Sequence, residues 1–241
     1  CRAYNDYVFH CYREVSDRLH PMALIPMQSV PEAVSELRRA VVDLGLPGAM
    51  LPTRGLPVNL GHELYWPLYE EAERLDCVLA LHGGSNMGLG MEGFTDNGAS
   101  HMLHHPLPLI INFVSYFRQG VADRFPNLRL GFMEGGAGWL AFVLDRIARE
   151  DEYRPRASRL DVVEWLQSGR ILVGCEGSET TLGHLVQRIG VTPFAYASDY
   201  PHEVDAVSAE EEIDELAAYP GIGDSDRAAL LGGNAARFFK L

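Results

Sequence analysis

The sequence predicts an α/β fold of parallel barrel type, a (β/α)8 TIM barrel with about six strand–helix units present. Two observations predict it. Short, near-continuous apolar runs alternate with amphipathic segments, as in strands buried on both faces of a parallel sheet. Four of these runs close on a chemically capable residue, namely His82, Glu134, Glu176 and Asp199. Barrels carry their chemistry at the carboxyl ends of several strands, whereas an open doubly wound sheet concentrates it at one switch point.

The chain opens on Cys1, and Tyr4, Val8, Cys11, Tyr12, Val15 and Leu19 recur at spacings that predict an amphipathic helix over residues 4–19. A chain that starts inside a helix, with six units after it, is expected to lack the first two units of the barrel. The first apolar run is Met22 to Met27. Pro31 then takes a first helical position, Val34, Leu37, Val41 and Leu44 mark one helix face, and Gly45 is the stop. Runs at Gly48 to Leu51 and Cys77 to His82 follow. Residues 83–108, rich in Gly, Asn, Met and His, form a long insertion without a clear pattern, which predicts a lid or binding loop on the active face. The remaining runs are Leu128 to Glu134, Ile171 to Glu176 and Phe194 to Asp199. Leu140, Val143, Leu144 and Ile147 make a helical stripe, and Ser208 with Glu211 forms a capping-box pattern before Ile213 and Leu216. No Pro-rich or Ser-rich linker divides the chain, so residues 1–241 read as one domain.

The 241 residues, 47% apolar and 22% charged, suffice for a large core. A formal net charge of −13 with scattered Lys and Arg argues against nucleic acid, because phosphate binding needs clustered basic groups. No apolar run approaches the ~18 residues of a membrane helix, and no basic segment leading into an apolar stretch opens the chain. A soluble, cytoplasmic protein with a small-molecule substrate is expected. Cys1, Cys11, Cys77 and Cys175 lie far apart and read as buried thiols. The P-loop, G-x-S-x-G and H-E-x-x-H signatures are absent, and Gly84, Gly88 and Gly90 lack dinucleotide spacing.

His82 in LALHGG closes a buried strand before a Gly-rich turn, which gives a rigid imidazole with space for a ligand. Its alternative is a hydrogen-bonded turn histidine. Asp199 in YASDYPH is costly to bury unless paired or metal-bound; otherwise it makes an Asx-turn before Pro201. His202 touches substrate or sits in that turn. Glu134 precedes Gly135, Gly136 and Gly138, which let a ligand approach the backbone, and Trp139 opens the next helix. Glu134 can equally be a helix-start acid. Glu176 and Glu179 form a weaker pair, for which a helix-cap role competes. For His101, His104 and His105, metal binding, substrate contact and ordinary loop chemistry all stay open, since a loop lacks the rigidity of strand ends.

Taken together, LHGG at Leu81, GVADRFPNLRLGFMEGGAGWLAFVLDRI from Gly120, YASDYPH from Tyr196 and NAARFFKL from Asn234 resemble the amidohydrolase-related family. This branch of the metal-dependent amidohydrolase superfamily includes the aminocarboxymuconate-semialdehyde and resorcylate decarboxylases. The resemblance spans the chain and implies a (β/α)8 barrel with one divalent metal, usually zinc, with manganese the alternative. By motif position, His82 is the implied fifth-strand ligand and Asp199 the eighth-strand ligand and general base. The first-strand H-x-H or E-x-H pair is not found, and Glu134 stands where the decarboxylases commonly bear a proton-transferring His. The leading expectation is a hydrolase of a small carbonyl or carboxylate compound working through metal-activated water. Asp199 and Glu134 would be catalytic, and His202, Trp139, His104 and Glu176 would touch substrate. A non-oxidative decarboxylase is the alternative, and a non-catalytic barrel remnant a third reading. A homo-oligomer is expected, because an open barrel leaves strand edges unpaired.

Overall fold

The computed structural model describes residues 1–83, 88–154, 158–202 and 204–241, and places six parallel strands in one sheet in chain order. They are β1 (Ala23–Leu24), β2 (Gly48–Pro52), β3 (Val78–His82), β4 (Arg129–Met133), β5 (Ile171–Cys175) and β6 (Phe194–Tyr196). Among the described residues every strand pairs with its sequence neighbour, without the reversal of a doubly wound sheet. This is the winding of a barrel, as the alternation of apolar runs predicts. The helices are α1 (Arg2–Val8), α2 (Val30–Val42), α3 (Trp66–Leu75), α4 (Asn97–His104), α5 (Pro106–Arg118), α6 (Val121–Arg124), α7 (Trp139–Tyr153), α8 (Val162–Gln167), α9 (Leu182–Ile189), α10 (Ala206–Ala218), α11 (Asp224–Ala228) and α12 (Asn234–Phe239).

Strand alternation sorts the apolar side chains into two clusters. Leu79 and Leu81 of β3, Leu130 and Phe132 of β4 and Val173 of β5 face the helices. Val78, Ala80, Leu172 and Ala195 face the other way, with Met50, Met133 and Phe238 of α12. On the helix side Phe113 of α5 packs against Trp139 and Phe132 at centroid distances of 5.3 and 5.4 Å, which fixes α5 and α7 over β4. The predicted stripe Leu140, Val143, Leu144 and Ile147 is buried throughout.

Several expectations are corrected. The first apolar run yields a strand only at Ala23–Leu24, because Pro26 has no N–H to offer a ladder. The amphipathic helix expected over residues 4–19 is α-helical from Arg2 to Val8 and π-helical over Phe9–Arg13, where it ends, and Tyr4, Tyr12, Val15 and Leu19 remain exposed. Residues 84–87 of the expected loop, Gly84 among them, lie outside the described residues; 88–108 hold a turn at Met91–Gly93, all of α4 and the start of α5. The capping box is built by Asp205 and Ser208, since the Asp205 carboxylate accepts the amides of Val207 and Ser208.

The outer edge of β1 is not left open. The Asn5 side chain donates to the Leu24 carbonyl at 2.9 Å and accepts the Leu24 amide at 2.8 Å, so it occupies the place of a neighbouring strand at that residue. Among the described residues no helix is long and apolar enough to cross a membrane. All four cysteines are free, but the expectation of buried thiols holds only for Cys77 and Cys175; Cys1 and Cys11, in the first helical segment, are exposed.

Candidate active site

A cavity of about 550 Å³ opens at the carboxyl ends of β3 to β6. His82, Glu134, Glu176 and Asp199 line it, with Met102, Pro106, Met133 and Trp139 as its apolar wall. Four polar residues that close apolar runs in the sequence therefore meet in one place.

His82 shares the face of Val78 and Ala80 by strand parity and ends β3. Its Nδ1 lies 3.0 Å from the Gly83 carbonyl, which can only accept, so Nδ1 donates there and Nε2 faces the cavity. Nε2 is in contact with Oε2 of Glu134.

Glu134 reaches the cavity by a backbone device. In β4 Leu130 and Phe132 face the helices, so regular alternation would send residue 134 towards them. Instead Glu134 adopts φ +57°, a left-handed conformation that costs a non-glycine residue about 1–2 kcal/mol, and its carboxylate turns into the cavity. Only 18% of that side chain is exposed. Burial, and then the negative charge of Asp199, push its carboxyl above the ordinary range, against the pull of His82. Its second oxygen lies 3.2 Å from Nε2 of His105.

Asp199 stands three residues beyond β6, also at φ +57°. Its carbonyl accepts the His202 amide at 2.9 Å, and one carboxylate oxygen lies 3.5 Å from His202 Nδ1. His202 is thus held in the turn that the sequence offered as one of its readings, with its side chain 78% exposed. Trp139 opens α7 and donates from its indole nitrogen to the Gly136 carbonyl at 2.8 Å, which orients the ring as a cavity wall.

Glu176 lines the cavity, and burial together with the charge of Glu179 raises its carboxyl. Glu179 is a clamp: it accepts amides from Glu176, Ala137 and Gly138 at 2.9, 2.8 and 3.0 Å. The amides of Ala137 and Gly138 belong to the turn before α7, so this acid ties that turn to the segment after β5 and caps neither α7 nor α9. His104 does not line the cavity; it is buried behind the wall, its ring 3.9 Å from that of His105. His105 takes the wall position that sequence reasoning gave to His104. Gly83 leaves room for it, since a Cβ there would lie 2.5 Å from His105 Nδ1 and 2.7 Å from its Cα. Burial and the neighbouring imidazoles depress the His105 ring to about 4.

The donor set fits a divalent cation. His82, His105 and Glu134 bring ligand atoms within 4.8 Å of one another, as do Glu134, Asp199 and His202. No such group among the described residues contains both His82 and Asp199; Glu134 lies within ligand reach of each and joins the two.

Comparison with known proteins corrects the leading functional expectation. The chain is 26% identical to a 2-amino-3-carboxymuconate-6-semialdehyde decarboxylase of Dictyostelium discoideum over 98% of its own length and 65% of that protein's. It is 24% identical to a gamma-resorcylate decarboxylase of Polaromonas sp. over 100% of its length and 76% of that protein's. A crystal structure of a dihydroxybenzoic acid decarboxylase from Polaromonas sp., with bound manganese and the inhibitor 2-nitroresorcinol, superposes with a TM-score of 0.81 at 22% identity, over 100% of this chain and 74% of that one. The chain thus spans just under two thirds of the first relative. All three are named decarboxylases, which overturns the hydrolase expectation and favours its alternative. A family model described as amidohydrolase matches residues 1–241, and with the barrel winding and the imidazole–carboxylate cavity already in place, the chain belongs to the amidohydrolase family.

Proposed function

We propose that this protein is a metal-dependent, non-oxidative decarboxylase of a small aromatic or enoic carboxylic acid. The observation that carries the reading is the position of Glu134, a mostly buried carboxylate at the junction between His82 and Asp199. Decarboxylation breaks the bond to the carboxylate carbon, leaves its electron pair on the substrate carbon, and requires a proton there. Glu134, in contact with His82 and 3.2 Å from His105, is placed to hold that proton over the cavity and deliver it. A metal beside it would be held from one side by His82 or from the other by Asp199, the two groups that Glu134 joins. A bound divalent ion supplies positive charge that grips substrate oxygens and spreads the charge left as CO2 departs. Carboxylate donors among the imidazoles suit manganese, the ion in the Polaromonas structure. Trp139, Met102 and Met133 offer flat, apolar surface to a planar substrate.

The test follows ¹³CO2 release from carboxyl-labelled hydroxybenzoic and enoic acids by the manganese-loaded protein. Release is expected, with Glu134→Gln slower by about 100-fold or more. A Glu134→Gln variant at the wild-type rate, or ester, lactone or amide cleavage without CO2, would defeat the proposal.

A further inference from the structure

We infer that His101, His104 and His105 form a second cation site, which adjoins the Glu134 junction through His105, for a divalent ion of the zinc class. One ring nitrogen from each lies within 4.8 Å of the other two. They fall at i, i+3 and i+4, at the end of α4 and its cap, a spacing that stacks side chains on one helix face. The ring of His104 lies 4.7 Å from that of His101 and 3.9 Å from that of His105.

An independent observation points to a ligand. His104 and His105 are only 7% and 9% exposed, yet among the described residues the buried Nδ1 atoms of both find no hydrogen-bond partner. Buried imidazoles normally satisfy both ring nitrogens, and a cation is what accepts an idle lone pair. In His105 the opposite nitrogen, Nε2, faces the Glu134 carboxylate at 3.2 Å. Carboxylate, imidazole and metal in that order is how ligating histidines are held, with the N–H on the acid and the lone pair on the ion. Three imidazoles without a carboxylate favour zinc over the oxygen-seeking magnesium, calcium or manganese, and leave a fourth position open. His101 and His105 also line the cavity, so that position faces substrate space.

The test strips the protein with chelator, saturates it with Mn²⁺, adds limiting Zn²⁺ and counts bound metals by mass spectrometry. Wild type should keep one zinc per chain against excess manganese, and the double variant His101→Gln, His104→Gln should lose it. Equal zinc in the double variant and wild type overturns the site, as does no retained zinc in wild type. Because the double variant can fail to fold, ¹⁵N imidazole shifts of wild type on zinc addition give a second, independent measurement. Shifts at residues 101, 104 and 105 support the site; shifts confined to His82 and His202 refute it.

Discussion

Glu134 and Asp199 share one backbone conformation, φ +57°, and both present a carboxylate to the same cavity from beyond the ends of their strands. Side-chain parity cannot do this at Glu134, so a left-handed residue does, at a cost in stability. Glycine carries no such penalty there. Glu134→Gly is therefore expected to be about 1 kcal/mol more stable than Glu134→Ala, with both inactive, as read by urea denaturation. Equal midpoints for the two variants would show that the backbone at 134 is not under strain.

The same conformation marks the limit of what could be read from the residues alone. His82 was legible because an apolar run ends on it, and strand parity then aims it correctly. Glu134 was legible as a strand-end acid, but its direction depends on a dihedral that no periodicity reports. The helical segment carrying His101, His104 and His105 read as a loop because α4 buries Ser100 and His104 instead of an aliphatic stripe. Asn5, a polar residue in the first helix, gives no local sign that its partner is a strand edge nineteen positions away.

Gly83 makes room for the wall of the cavity. A methyl group there would meet the Cα of His105 at 2.7 Å as well as its ring, and a backbone atom cannot step aside by a rotamer change. Gly83→Ala is expected to lower stability by about 1–3 kcal/mol and to displace His105 from Glu134. Thermal melts check the first effect, and the ¹⁵N signals of the His105 ring the second. A variant with wild-type values of both would mean that the α4–α5 junction yields easily.

Asn5 holds the edge of β1 through two hydrogen bonds to Leu24 and a third to Glu36 at 2.7 Å. Asn5→Ala frees the amide and carbonyl of an edge strand and strands the buried Glu36 carboxylate without one of its donors. We expect a loss of about 1–3 kcal/mol and more self-association, because exposed edges recruit other chains. Light scattering that stays at the wild-type level while stability falls would separate the two roles and reject the edge-blocking one.

Glu71 ties α2 to α3, accepting from Arg74 at 2.7 Å and from Arg38 at 2.7 Å. Arg74 foremost, then Arg38, hold its carboxyl down at about 2 although burial opposes them. The folded value lies below the ordinary 4.5 of the unfolded chain, so the unfolded state takes up the proton first as pH falls. The stability that Glu71 contributes is complete above 4.5 and drains away towards about 2. Glu71→Gln should therefore be less stable than wild type at neutral pH, and the gap should close through that acid window. Denaturation midpoints measured across the window give the answer: a gap that stays constant to the acid end would mean that the two arginines do not act on the Glu71 charge.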